Sequence, residues 1–145
     1  ERTEAGYASV ISTLSIFGDS LQRCSAHPDF LDLFYEAFLG SSPKVREKFA
    51  NTDFVKQKRA LHASLNLMLR AAREEDLGPP RYLDDLARRH GAQDLDIGSE
   101  YYDLWLDSLL ATVSVCDSEA SEEVRAAWEK VMGVGIRYLC ARYNE

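Results

Sequence analysis

The sequence predicts an all-α fold. Apolar residues recur at three- and four-residue steps through most of the 145 positions, alternation of period two is nowhere sustained, and cap-type residues separate the periodic stretches. The helices so marked are unequal in length, unlike those of an up-and-down four-helix bundle. With 46% hydrophobic residues, a single domain over 1–145 is expected to bury its core without crosslinks.

The first helix is expected over about residues 3–22, where Tyr7, Val10, Ile11, Leu14 and Phe17 share a face. A second follows His27-Pro28, with Pro28 or Asp29 in its first turn, and aligns Phe30, Phe34 and Phe38 beside Leu31, Tyr35 and Leu39. Gly40-Ser41-Ser42-Pro43 ends it, and Pro43 opens a short helix finishing at Phe49. Asn51-Thr52-Asp53 supplies caps for a long helix to about Arg73, with Phe54, Leu61, Leu65, Met68 and Leu69 inward.

Gly78-Pro79-Pro80 breaks the chain and starts a short helix through Leu83, Leu86 and His90. An irregular corner from Gly91 to Gly98 leads into a helix from about Ser99 to Cys116, rich in Tyr101, Tyr102, Leu104, Trp105, Leu109, Leu110 and Val113. The last helix is expected from about Ser118 to Tyr143, with cap signals in Asp117–Ser121. Val124, Trp128, Val131, Met132, Ile136 and Leu139 form its stripe, and Gly133 and Gly135 are expected to leave room for close backbone contact.

Charge and cysteine content narrow the function classes. Seventeen basic against 24 acidic residues give a net charge of -7, and no basic cluster is long enough to track a phosphate backbone. Nucleic acid is therefore not an expected partner. Cys24, Cys116 and Cys140 are far apart and odd in number, which indicates neither a disulfide framework nor a zinc cluster. No run approaches the ~18 apolar residues of a membrane span, and a soluble, cytoplasmic protein with reduced thiols is expected. An opening at Glu1 without methionine suggests an expression fragment or an excised domain.

Three polar residues occupy positions that periodicity sends inward. Leu83, Leu86 and His90 stand at i, i+3 and i+7, so His90 shares the leucine face. A second reading of His90 is a last-turn cation before the Gly91 cap, stabilised by the helix dipole. Gln57 falls three residues after Phe54 and four before Leu61, and Tyr35 lies between Leu31 and Leu39. Burying such an amide unpaired costs roughly 1–3 kcal/mol. Each alone is explained by a nearby backbone partner; together they suggest a cavity with a hydroxyl and an amide on one side, an imidazole opposite, and Phe49 and leucines keeping it dry. His27, His62 and His90 are too scattered to hold a bare zinc or iron ion. A haem needs one axial imidazole and an apolar slot.

At these residues the chain resembles the globins, most nearly bacterial single-domain haemoglobins and the haem domain of flavohaemoglobins. The likeness runs from about residue 7 to 143, strongest in FYEAFLGSSPKVREKF, residues 34–49. There Tyr35 matches the distal tyrosine, Pro43 the proline opening the third helix, and Phe49 the phenylalanine that packs on the haem. FVKQKRALHASL, residues 54–65, is similar to the distal helix, with Gln57 as distal glutamine and Leu61 over the iron. A shifted register would put His62 there but would bury Arg59 and Asn66. LDDLARRH, residues 83–90, is similar to the proximal helix, so the resemblance implies Leu86 against the haem and His90 as axial ligand and sole metal ligand. SEYYDLWLDSLLATV, residues 99–113, implies Tyr102 (or Tyr101), Trp105 and Leu109 on the proximal side, with Ile97 at the corner.

The resemblance implies a globin fold of about seven to eight helices around haem b, iron protoporphyrin IX. It further implies reversible binding of dioxygen, carbon monoxide or nitric oxide, with Tyr35 and Gln57 as hydrogen-bond donors and slow oxygen release. The expected acceptor for the second ring nitrogen of His90 is a backbone carbonyl near Leu86. Tyr143 stands where flavohaemoglobins carry a glutamate near the proximal histidine. Arg89 pairs with a haem propionate or is solvated. His62 is an edge-of-core residue or an iron ligand in the gas-free state. Alternative functions are a haem-based gas sensor domain, and a nitric oxide dioxygenase or peroxidase served by a separate reductase. A monomer or a homodimer is expected.

Overall fold

The computed structural model describes residues 4–73, 84–91 and 95–144, and their side chains other than those of 4–11, 71 and 85. Among the described residues there are seven helices and no strand: α1 (Glu4–Ala26), α2 (Phe30–Gly40), α3 (Pro43–Lys48), α4 (Phe54–Arg73), α5 (Asp84–His90), α6 (Ser99–Cys116) and α7 (Glu122–Ala141). None is long and apolar enough to cross a membrane. The expected inward positions Tyr7, Val10, Ile11 and Leu83, and the Gly78-Pro79-Pro80 break, lie outside the described side chains or residues.

Local chemistry sets the starts of α3, α4 and α7. Ser42 accepts from the backbone N–H of Lys44 at 3.2 Å with Pro43 in the first helical position of α3. Asp53 accepts from Val55 N–H at 3.1 Å at the head of α4. Four boundaries differ from expectation. α2 starts at Phe30, with Asp29 in the cap position and Pro28 before it rather than in the first turn. α1 continues past residue 22 to Ala26, because Cys24 extends the buried face of Phe17 and Leu21 while Arg23 finds a carboxylate partner in Asp117. α7 starts at Glu122 rather than near Ser118: Asp117 caps a separate turn by accepting from Glu119 N–H at 2.8 Å, which leaves Ser121 to cap the helix through Val124 N–H at 3.2 Å. α7 stops at Ala141, where the Arg142 N–H turns back to Leu139.

α2 crosses α6, and α7 packs against α1, α4, α6 and α5, so α7 is the central support. The interior holds Phe17, Phe30, Phe34, Leu65, Leu109, Trp128, Val131 and Met132, all but excluded from solvent. Phe17 and Trp128 meet edge to face with ring centroids 4.6 Å apart, joining α1 to α7. Gly135 makes room for the Met68 side chain of α4, since a Cβ there would stand 2.9 Å from Met68 Cγ. The expected backbone approach at Gly133 is not observed; a Cβ there would meet the Arg137 side chain.

A buried polar cluster ties α1 to the corner between α6 and α7. Asp117, 3% exposed, accepts from the Ser20 hydroxyl at 2.6 Å and from Arg23 Nε at 2.5 Å, and Trp128 Nε1 donates to Ser20 at 2.8 Å. Burial alone would raise the Asp117 pKa, but the Arg23 guanidinium, the Ser20 hydroxyl and the Glu119 N–H outweigh it and hold the carboxyl below its ordinary value.

Candidate functional site

α2 delivers Tyr35 because Phe30, Phe34 and Phe38 anchor the adjoining face in the core, which fixes the rotation of the helix. Tyr35 is itself 4% exposed, and its ring meets those of Phe34, Phe49 and Phe54 at centroid distances of 5.0, 6.1 and 5.4 Å. Burial pushes its pKa up to about 12, with a small opposing effect from its contact with Gln57, so the phenol carries its proton at neutral pH. The hydroxyl lies 3.5 Å from the backbone carbonyl of Gln57, at the outer limit of a hydrogen bond. Its donor capacity is weakly engaged.

Phe49 closes the turn after α3. It is half-buried, stacks near-parallel on Phe54 at 6.2 Å and meets Phe38 edge-on at 5.7 Å. The aromatic cluster therefore draws on α2, the end of α3 and the start of α4. It reaches α6 through Phe34 and Trp105, whose ring centroids are 6.1 Å apart.

On α4 the register agrees with the expectation that Gln57, not His62, lies on the inward side. Leu61 and Leu65 are buried, Phe54 and Gln57 are half-buried, and Arg59, His62 and Asn66 are exposed. His62 Nε2 is 3.2 Å from the hydroxyl of Ser25 on α1. An imidazole so engaged at the surface belongs to the α1–α4 seam.

α5 ends at His90, which is half-buried together with Leu86, while Ala87 between them is buried. His90 Nδ1 is 2.8 Å from the carbonyl oxygen of Leu86. A carbonyl only accepts, so Nδ1 carries the proton, and a neutral imidazole held this way would bind a metal through Nε2. The chain then turns tightly: Asp96 N–H donates to Gly91 O at 2.8 Å, and Ile97 N–H to His90 O at 2.9 Å. Asp96 takes the left-handed conformation, φ 55°, which aspartate tolerates better than most residues. Tyr143 from the end of α7 donates to the Asp96 carboxylate, and Tyr138 to that of Asp84 at the start of α5.

Among the remaining expected residues, Tyr102 and Leu109 of α6 are buried, Tyr101, Trp105 and Ile97 are half-buried, and Arg89 is exposed. Burial pushes the Tyr102 phenol well above its ordinary value. A cleft of about 430 Å³ opens beside Ile97, bounded by Lys48, Tyr101, Cys140 and Tyr143, and Lys48 crosses its edge to donate to Leu95 O at 2.9 Å. It does not include His90 or Tyr35.

Two features escaped the sequence reading. Phe54 belongs to the aromatic cluster around Tyr35 rather than only to the helical stripe. Asp32 of α2 and Lys58 of α4 pair across the seam between the two helices. The three-residue step from Asp32 to Tyr35 was the available signal for a shared face; the partner on another helix left no local trace.

The donor set fits a haem. One imidazole with its tautomer fixed, a buried phenolic donor, a half-buried carboxamide, and half-buried Phe49, Phe54, Leu86, Ile97 and Trp105 are the groups that a flat apolar macrocycle with one axial position would use. Among the described residues, no group of three or more His, Cys, Asp or Glu could hold a bare metal ion.

A family model described as Globin matches residues 32–138. A crystal structure from Pseudomonas aeruginosa PAO1, of a protein described as structurally highly homologous to a human haemoglobin, is similar to this chain with 39% identity and a TM-score of 0.87. That similarity covers 92% of this chain and 99% of the other. No curated protein matches the chain significantly.

Proposed function

The chain belongs to the globin family, and from that premise we propose that it binds haem b through His90 and takes up dioxygen and other diatomic gases reversibly. When bound, the haem supplies the iron centre at which such a gas is held. The hydrogen bond from His90 Nδ1 to Leu86 O is the observation that carries this reading, because it presents Nε2 as the ligating atom and fixes the plane of the ring.

The chain's own residues supply the rest. By the family resemblance Leu86, Ile97, Tyr102, Trp105 and Leu109 would offer contact on the His90 side and Phe49 and Leu61 on the other, and all seven belong to the core or pack against it. Tyr35 and Gln57 are the donors for a polarised guest, and the phenol remains a donor across the physiological range because its pKa is pushed up to about 12. A hydrogen bond to a charged acceptor is worth roughly 1.5–3 kcal/mol, about one to two orders of magnitude in affinity. Tyr35 therefore favours a guest that accumulates negative charge over one that does not.

The neutral acceptor behind His90 supports reversible binding over peroxide cleavage, since a carbonyl draws less proton density from the imidazole than a carboxylate does. Tyr143 is committed to Asp96, so it is not assigned to His90, and the exposed Arg89 would pair with a haem propionate or stand in solvent. The test is the absorbance spectrum of the haem-reconstituted protein, oxidised, reduced and under carbon monoxide. A histidine-ligated spectrum that shifts with carbon monoxide supports the proposal; absence of haem uptake refutes it.

A further inference from the structure

Asp32 and Lys58 form an ion pair between α2 and α4, with side chains 59% and 34% exposed respectively. Asp32 stands one turn before Tyr35 on α2, and Lys58 stands one turn after Phe54 and one before Leu61 on α4, so the pair lies along the seam where the Tyr35 ring meets Phe54. The two helices also approach through the Tyr35 ring against Phe54 at 5.4 Å and the 3.5 Å contact from the Tyr35 hydroxyl to Gln57 O. The head of α4 is capped from within its own segment, by Asp53 accepting from Val55 and Gln57. A cap orders the turn but does not attach it to α2.

The Arg125–Glu129 pair lies within α7 and can stiffen only that helix. Asp32–Lys58 joins two elements. We propose that the Asp32–Lys58 pair is a strap across the donor side of the site, whose opening lets the first turns of α4 lift from α2 and so sets the rate at which a small gas enters and leaves. This inference rests on the haem-globin reading above. Because both groups reach solvent, salt loosens the strap, and gas release from the parent protein rises with ionic strength.

The experiment uses Asp32→Asn, Lys58→Gln and the charge-exchanged double variant Asp32→Lys with Lys58→Asp. Amide hydrogen exchange across Gln57–Leu61 of the protein as isolated is expected to quicken about two- to fivefold in each single variant and to return toward the parent rate in the double variant. With haem loaded, the dioxygen release rate is expected to change in the same pattern, and the single variants lose the parent's salt dependence. Parent-like exchange and release in both single variants overturns the strap, as does a double variant no better than the singles. A parent that takes up no haem overturns the gas-binding reading and the strap together, whereas haem uptake with unchanged exchange and release overturns the strap alone.

Discussion

His90 donates from Nδ1 to the carbonyl oxygen of Leu86, one helical turn back and 2.8 Å away. The partner is neutral, and the phenol of Tyr143 is directed to Asp96 instead. An imidazole with a carbonyl acceptor keeps its proton, so it pushes less charge onto a bound metal than one paired with a carboxylate. The reduced, haem-loaded protein is expected to show an iron–histidine stretching band of the neutral-imidazole type. A band of the imidazolate type contradicts this geometry.

Tyr35→Phe removes the buried donor with little change in volume. The dioxygen dissociation rate is expected to rise about ten- to a hundredfold, while the carbon monoxide rate moves far less. Stopped-flow measurement of both gases checks this, and equal effects on the two would show that the hydroxyl does not discriminate.

Asp117 makes stability depend on acid. Its folded-state pKa lies below the ordinary 3.8, so its contribution is present above that value and is lost as the pH falls through the lower, folded value. Denaturant melts from pH 6 down to pH 2 are expected to show this decline in the parent and a flatter one in Asp117→Asn. Arg23→Ala leaves the carboxylate buried without its main partner and is expected to cost about 3 kcal/mol at neutral pH. Stability unchanged in that variant contradicts the role given to the cluster.

The three thiols differ in access. Cys24 is buried, with burial pushing its pKa up to about 12, Cys116 is also buried, and Cys140 is exposed. A chromogenic disulfide reagent at neutral pH is expected to titrate one thiol in the native protein and three after denaturation. Rapid reaction of all three in the native state contradicts the placement of Cys24 and Cys116.

Positions that answer to their own helix were legible in the sequence. Periodicity put Tyr35 among the phenylalanines of α2, and the alternative register for α4 failed because it would have turned Arg59 and Asn66 inward; both are exposed. The half-burial of Gln57 and His90 follows from the same steps of three and four. What was hidden depends on a partner distant in sequence. Asp117 reads locally as a cap residue, and only Ser20 and Arg23, nearly a hundred positions away, make it the centre of a buried cluster. α1 reaches Ala26 for the same reason. Gly135 read as a backbone contact because nothing local names Met68 as its neighbour.

Titration of haem into the parent protein and into His90→Ala, followed by the visible spectra of the reduced and carbon monoxide forms, tests the central claim most directly. The parent is expected to bind one equivalent and give histidine-ligated spectra; the variant should lose that ligation and recover it when free imidazole is added. Identical spectra and stoichiometry in the two proteins would contradict ligation by His90.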